Sequence, residues 1–376
     1  MKTVLIASSF KANYGGNFIA QISFLADNLE KVNCEVLFLF PEKAKEKKWC
    51  ILFAKNRNVF FIKDDLSGFN RLKFAYKFVK KNNVSIAHTH FGLLALQFAL
   101  LCLLSKRFKH IIHAHSEAPL PANFYRRLLQ YLKHGILLKK SFVIAVNQNI
   151  QRQYISYGFK TSRLQTIHNG IDFNRLLCLN KNIDFRKDLQ ISSDAKLFLM
   201  MGYNIYIKGI DVAIDAFLHL KNESKSFDNY ALCIVIASNF EMVKHEIMDK
   251  YQGIPSWLYL LKPTETVSDY YRMVDCFISA SRTEGFPYSI AEAIFMKLPV
   301  IMSNIDGTKW ATQFPSVISF ESTNAFDLKN KIENIFSTIS SEMETTSSAS
   351  IENILGITVW ADNVINFYYK YNLIKL

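Results

Sequence analysis

The sequence lacks the marks of several protein classes. Its six cysteines, Cys34, Cys50, Cys102, Cys178, Cys233 and Cys276, lie far apart, with no C-x-x-C spacing and no Cys/His cluster. Neither a disulfide framework nor a zinc site is indicated, and the thiols read as reduced core residues of a cytosolic protein. The longest apolar run, LLALQFALLCLL at 93–104, is well short of the roughly 20 residues needed to span a bilayer. It is expected to form a buried helix. No cleavage site follows the opening MKTVLIASSF, which runs straight into a strand-like segment, so no signal peptide is expected. Acidic residues are scarce in the first half: up to residue 180 there are 9 against 27 Lys and Arg, and beyond it 23 against 18, so the halves carry +18 and −5. The first half should attract something anionic, and charge alone leaves nucleic acid, acidic lipid and phosphorylated substrates open.

What is present is ordinary globular material. Of the 376 residues, 50% are hydrophobic and 20% charged, which fits about two domains and excludes disorder or fibre. Continuous apolar runs alternate with helix-length amphipathic ones: TVLIASS (3–9), CEVLFLF (34–40), NVFFI (58–62), VSIAH (84–88), HIIHAH (110–115) and FVIAV (142–146). Such strands, separated by helices, imply a parallel sheet covered on both faces, a doubly wound α/β domain. The pattern restarts with KLFLMMG (196–202), ALCIVIA (231–237), SWLYLL (256–261), DCFISAS (275–281) and LPVIMS (298–303). The polar stretch 180–195 suits a linker, and the Ser/Thr-rich stretch 337–350 precedes a closing helical segment. Ligands of such sheets bind beyond the carboxyl ends of the strands, so the site is sought in those loops.

Four loops carry candidate chemistry. Gly15 and Gly16 follow the first strand and precede a helix, where backbone could approach a phosphate or sugar, though a plain turn would look the same. His88 and His90, then His113 and His115, end two strands, and alternation places each pair on one face. No nearby carboxylate or thiol except Glu117 completes a metal set, so the last histidine of each pair is expected to tip outward while the other packs. Lys208 and Gly209 read as the start of a helix after a strand ending at Gly202; a cation there opposes the helix dipole unless an anion, a phosphate for instance, lies between. In SRTEGFPYSIAEA (281–293), Glu284 lies in a turn and Glu292 about two helical turns on, at a rise of roughly 1.5 Å per residue. The pair could accept hydrogen bonds from two hydroxylated parts of one ligand, with intervening amides on its phosphates.

EGFPYSIAEA resembles the E-x7-E signature of retaining GT-B glycosyltransferases, in particular glycosyltransferase family 4. HNGID (168–172) resembles that family's N-G-[VI]-D segment, and the G-x5-K-G of residues 202–209 its donor-phosphate loop; YGGN, HTHFG, IIHAHSE, LPVI and DGT follow in the family's order. The variant loops look most like the enzymes of capsular and exopolysaccharide synthesis. The resemblance implies a GT-B fold, two Rossmann-like domains facing across a cleft: an acceptor domain at 1–179, on which a helix at about 357–376 packs back, and a nucleotide-sugar domain at 180–356. It implies that Glu284 contacts the donor sugar, Glu292 the ribose hydroxyls, Lys208 the diphosphate and His115 the transferred sugar. Gly16, Gly202, Gly285, Phe286, Pro287, Tyr288 and Ser289 would line the donor. A UDP- or GDP-linked sugar would be the donor and a lipid-linked saccharide the acceptor, with no cofactor and no metal. Where the family has Arg after the first glycine of its donor loop, Tyr203 stands, and Lys297 replaces the glycine before the PV pair.

The segment NFYRRLLQYLKHGILLKKS (123–141) combines Arg126, Arg127, Lys133, Lys139 and Lys140 with leucines and aromatics. At helical spacing it reads either as a helix lying in an anionic membrane surface or as an ordinary sheet-covering helix. The first reading makes the protein peripheral on the inner face of the plasma membrane. A sugar-nucleotide 2-epimerase of the same architecture is the nearest rival. A nucleic-acid binder would use the basic half, but no recognised motif or aromatic platform supports it.

Overall fold

The structure is a computed structural model that describes residues 1–117, 123–178, 185–223, 229–264, 266–339 and 348–375. The chain forms two compact units, Met1–Asp172 with Ile357–Leu376, and Phe173–Gly356. In the first unit, β1 (Lys2–Ser8), β2 (Cys34–Pro41), β3 (Asn58–Ile62), β4 (Val84–His90), β5 (Lys109–Ala114), β6 (Phe142–Ala145) and β7 (Leu164–Thr166) make a sheet in the order β3-β2-β1-β4-β5-β6-β7. Every pairing in it is parallel. Alternate residues of β1 serve different layers: Val4 and Ile6 pack with the helices Gly16–Lys31 and Ile357–Lys370, Leu5 and Ala7 with Phe98 and Cys102 of Ala95–Leu104. This two-sided burial is why the strands read as unbroken apolar runs.

The returning helix Ile357–Lys370 belongs to the first unit because of what it buries. Trp360, Val364, Phe367 and Tyr368 are each no more than 2% exposed, and a fully buried apolar side chain of this size contributes about 1.5–3 kcal/mol. The HNGID segment receives it. Gly170 packs so closely against Trp360 that a side chain there would overlap the indole, while Asn17 and Gln21 donate to the Gly170 carbonyl at 2.7 and 2.8 Å. Ile357 N–H then donates to the Ile171 carbonyl at 2.9 Å, tying together the two places where the chain passes between units.

In the second unit, β8 (Lys196–Gly202), β9 (Tyr230–Ile236), β10 (Leu258–Leu261), β11 (Cys276–Ser279), β12 (Val300–Ser303) and β13 (Val317–Phe320) form an all-parallel sheet in the order β10-β9-β8-β11-β12-β13. Its core joins Phe198, Met200 and Ile234 to Phe217, Ile247 and Ile332 of three helices. Strand order reverses between β1 and β4 in one sheet and between β8 and β11 in the other. Crevices at such reversals, beyond the carboxyl ends of the strands, are where these sheets bind ligands.

Several expectations need correction. β7 and β13 have no counterpart in the sequence reading: β7 has only three residues, too few to show a period, and β13 is a four-residue strand with only Phe320 fully buried. The expected linker is not one over its described part: Arg186 donates to the Met273 carbonyl at 2.7 Å and pairs with Asp275, fastening the helix Phe185–Asp188 to the second unit. The passage between units falls at Asp172/Phe173 instead of 179/180. Residues 179–184, and 340–347 of the Ser/Thr-rich stretch, lie outside the described residues. The apolar run at 93–104 is only half buried, with Leu104 79% exposed, and Cys178 is exposed while the other five thiols are buried.

Candidate functional site

At the reversal point of the second sheet, β8 and β11 deliver their loops side by side. After β8 comes a one-turn helix, Ile205–Lys208, capped by Asn204, whose side chain accepts from Ile207 N–H at 2.8 Å. Gly209 ends it in the left-handed region at φ 65°, and the long helix Ile210–Glu223 follows. Lys208 therefore closes a short helix, where a cation suits the dipole, and does not open a long one as expected. Its ammonium donates to Glu284 Oε1 at 2.6 Å and lies 5.3 Å from the centre of the Tyr203 ring. A carboxylate of the protein itself thus lies beside Lys208.

Close backbone packing fixes this arrangement. A side chain at Gly209 would overlap the carbonyl of Ala280, and one at Gly307 would overlap the carbonyl of Glu284. Gly202 lies 3.1 Å, measured from an added Cβ, from both Ile210 and Lys208, so its lack of a side chain makes room for the helix turn. Ser281 Oγ donates to Glu284 Oε1 at 2.7 Å. Arg282 is bound to Asp211 through both terminal nitrogens, at 2.7 and 2.9 Å, and stacks on Tyr206. It is thus committed to the helix behind the loop and does not replace the guanidinium missing at Tyr203.

Glu292 lies on the helix Tyr288–Phe295, for which Pro287 is the N-cap, and is 4% exposed. One of its oxygens pairs with Arg175, the other accepts from Tyr271 Oη at 2.7 Å. The sequence reading left it facing a ligand; the structure buries it against Arg175 and Tyr271, two residues that no motif singled out. A carboxylate has about four lone-pair sites, so both oxygens retain capacity for hydroxyl donors. Phe286 is buried and stacks on Trp310 at 4.8 Å; Gly285, Tyr288 and Ser289 complete the same loop and helix start.

In the first unit, Gly16 opens its helix at φ 52°, and an added Cβ there would meet nothing within 4 Å. Both histidine pairs do lie on one face. His88, His90 and His113 are no more than 1% exposed, so His90, expected to tip outward, packs instead, and only His115 is partly exposed. Nitrogen atoms of His88, His90 and His113 all lie within 4.8 Å of one another. Their rings stack, however, His88 on His90 at 4.6 Å and His90 on His113 at 4.8 Å, with planes 27° and 26° apart. The nitrogens by which His88 and His113 face each other, 3.3 Å apart, share a hydrogen bond, and the stacked ring of His90 aims its lone pair alongside theirs.

Burial drives His88, His110 and His115 down to a pKa of about 3, and His90 and His113 well below the usual value. The unfolded chain takes up these protons near pH 6.5 and the folded one only well below that, near pH 3 for His88, His110 and His115. Stability is therefore complete above about pH 6.5 and is lost as pH falls toward 3. Each such imidazole steepens the decline by on the order of 1 kcal/mol per pH unit. Urea midpoints are expected to fall steadily from pH 7 to pH 4; a flat profile would contradict the neutral cluster.

The basic segment splits into an α-helix, Phe124–Tyr131, and a π-helical stretch, Leu132–Leu137. It is not an ordinary sheet-covering helix. Phe124 is 81% exposed and Tyr125 65%, with Leu128, Leu129, Tyr131, Leu132 and Ile136 also exposed beside Arg126, Arg127, Lys133, Lys139 and Lys140. A cavity of about 580 Å³ lined by Lys2, Lys31, Asn33 and Cys34 opens at the amino ends of β1 and β2, the end of the sheet opposite to ligand binding.

Residues 22–175 match the family model described as Glycosyltransferase Family 4, and residues 181–343 the one described as Glycosyl transferases group 1. The chain carries the two domains of a GT-B glycosyltransferase. Among solved structures, a glycosyltransferase from Rickettsia africae is similar to it at 18% identity and a TM-score of 0.79, over 98% of both chains. Anabaena HepE, solved with UDP and glucose, is similar at 14% identity and 0.77, over 97% of this glycosyltransferase and 99% of that protein. A putative UDP-N-acetylglucosamine 2-epimerase from Listeria monocytogenes is more distant, at 12% identity and 0.62, over 100% and 98%. No curated protein matches the sequence.

Proposed function

We propose that this GT-B glycosyltransferase moves a hexose, with retention of configuration, from a UDP- or GDP-linked donor to a lipid-linked saccharide in bacterial surface polysaccharide synthesis. The observation that carries this reading is the Lys208–Glu284 pair, brought to 2.6 Å across the reversal point between β8 and β11. An ammonium has three donors, so Lys208 can keep Glu284 and still reach a diphosphate, a fixed charge placed where negative charge develops as the sugar leaves. Glu284 takes the sugar hydroxyls and Glu292 the ribose. The bond from the anomeric carbon to the diphosphate breaks, the acceptor oxygen bonds on the same face, and its proton passes to the leaving phosphate. The carboxylates, the ammonium and backbone amides serve this step with neither cofactor nor metal. HepE, bound to UDP and glucose, lends the donor class support.

The exposed apolar and basic residues of 123–141 suit a peripheral place on the inner face of the plasma membrane, where a lipid-linked acceptor is met. Anionic vesicles are expected to sediment the protein and neutral ones to leave it in solution; equal behaviour would remove the membrane from the reading. Incubation with a panel of UDP- and GDP-sugars should show thermal stabilisation by one of them, followed by transfer to a lipid-linked saccharide with the anomeric configuration kept. A product that is only an epimerised sugar nucleotide would favour the 2-epimerase.

A further inference from the structure

The four histidines at the ends of β4 and β5 form two hydrogen-bonded pairs stacked on each other. His88 Nε2 meets His113 Nδ1 at 3.3 Å, and His90 Nδ1 meets His115 Nε2 at 2.9 Å. Tyr368, on the returning helix, meets His88 Nδ1 at 2.9 Å and so backs the first pair. The rings of the second pair stand 5.2 Å apart, the spacing of imidazoles bonded edge to edge, and His113 stacks on His115 at 4.6 Å. Phe91 stacks on His115 at 4.4 Å. The ring of His115 is thus held at its edge and against Phe91 and His113.

Burial keeps these imidazoles neutral, so each carries one N–H. Nε2 of His90 is buried with no hydrogen-bond partner among the described residues. A proton there would strand a donor in the core. On Nδ1 the same proton is used by His115, and only an acceptor lone pair is left, the less costly orphan. His115 Nε2 then accepts, and its own proton must be on Nδ1, across the ring.

We propose that His90 is a positioning residue that donates from Nδ1 to His115 Nε2, fixes His115 as its Nδ1–H tautomer, and so turns that N–H away from the stack as a donor to a sugar hydroxyl. His90 itself, 1% exposed, acts only through His115. The sugar part rests on the function proposed above; the tautomer does not.

Long-range proton–nitrogen spectra of the full-length, ligand-free protein are expected to show His115 protonated on Nδ1 and bare on Nε2. His90→Leu should return His115 to a mixture of tautomers and lower kcat to roughly 1 in 100, with the donor KM moving less than about threefold. His90→Asn places an amide donor where Nδ1 stands and should restore both the tautomer and most of kcat. A proton on His115 Nε2 in the wild-type spectrum overturns the proposal, as does a folded His90→Leu protein with the tautomer unchanged. Should His90→Leu fail to fold, the wild-type spectrum and His90→Asn decide. The stated tautomer in a protein that transfers no sugar from any nucleotide donor would sink the proposed function and leave the His90–His115 assignment standing.

Discussion

Glu284→Gln is expected to abolish sugar transfer in a protein that still folds. The carboxylate accepts from Lys208 at 2.6 Å and from Ser281 at 2.7 Å, and its side chain is 12% exposed. Glutamine keeps the shape and one acceptor oxygen but removes the charge, so Lys208 loses its counter-ion and the sugar hydroxyls lose a strong acceptor. Hydrogen bonds to charged groups contribute about 1.5–3 kcal/mol to stability, within the 5–15 kcal/mol or so that a domain has to spare. The rate should suffer far more, because an oriented charge at the reacting centre is commonly worth about 100-fold to 1000-fold. Initial transfer rates beside a urea unfolding curve check this. Full transfer by the folded variant would remove Glu284 from the reaction.

Gly307→Ala should do comparable damage by a different route. The added methyl would overlap the carbonyl of Glu284 and lie 2.9 Å from the Glu284 Cβ. What it meets is backbone, which cannot rotate aside, so the loop carrying Glu284 must move. Overpacking of this kind costs about 1–3 kcal/mol, and a displacement near 1 Å at a reacting group costs about 100-fold in rate. Transfer is expected to fall roughly that far, with donor affinity and fold reduced less. A variant with normal turnover would show that the loop tolerates movement.

Gly307 was visible in the sequence only as part of a DGT triplet, with no hint of what it touches. Its partner, Glu284, is 23 positions away on another loop. The same holds for Arg175, which meets Glu292 from 117 positions away, and for Tyr271. Neither has a spacing relation to the E-x7-E segment, so no periodicity could announce it. The histidine pairs were legible as pairs because alternation is local; that two pairs would stack was not, since it follows from the pairing of β4 with β5, where His90 stands opposite His113.

The sequence by itself determined two parallel sheets, from unbroken apolar strands, and the segments that form the candidate donor site, from short local patterns. These rest on neighbours along the chain, where helix and strand geometry set the spacing. Only the tertiary structure decided that Glu284 answers Lys208, that Arg175 covers Glu292, that Gly307 backs the Glu284 carbonyl, and that His90 packs while His115 stays partly open. Each of those depends on which loops the strand order brings together, and strand order is settled by packing between residues far apart in the chain.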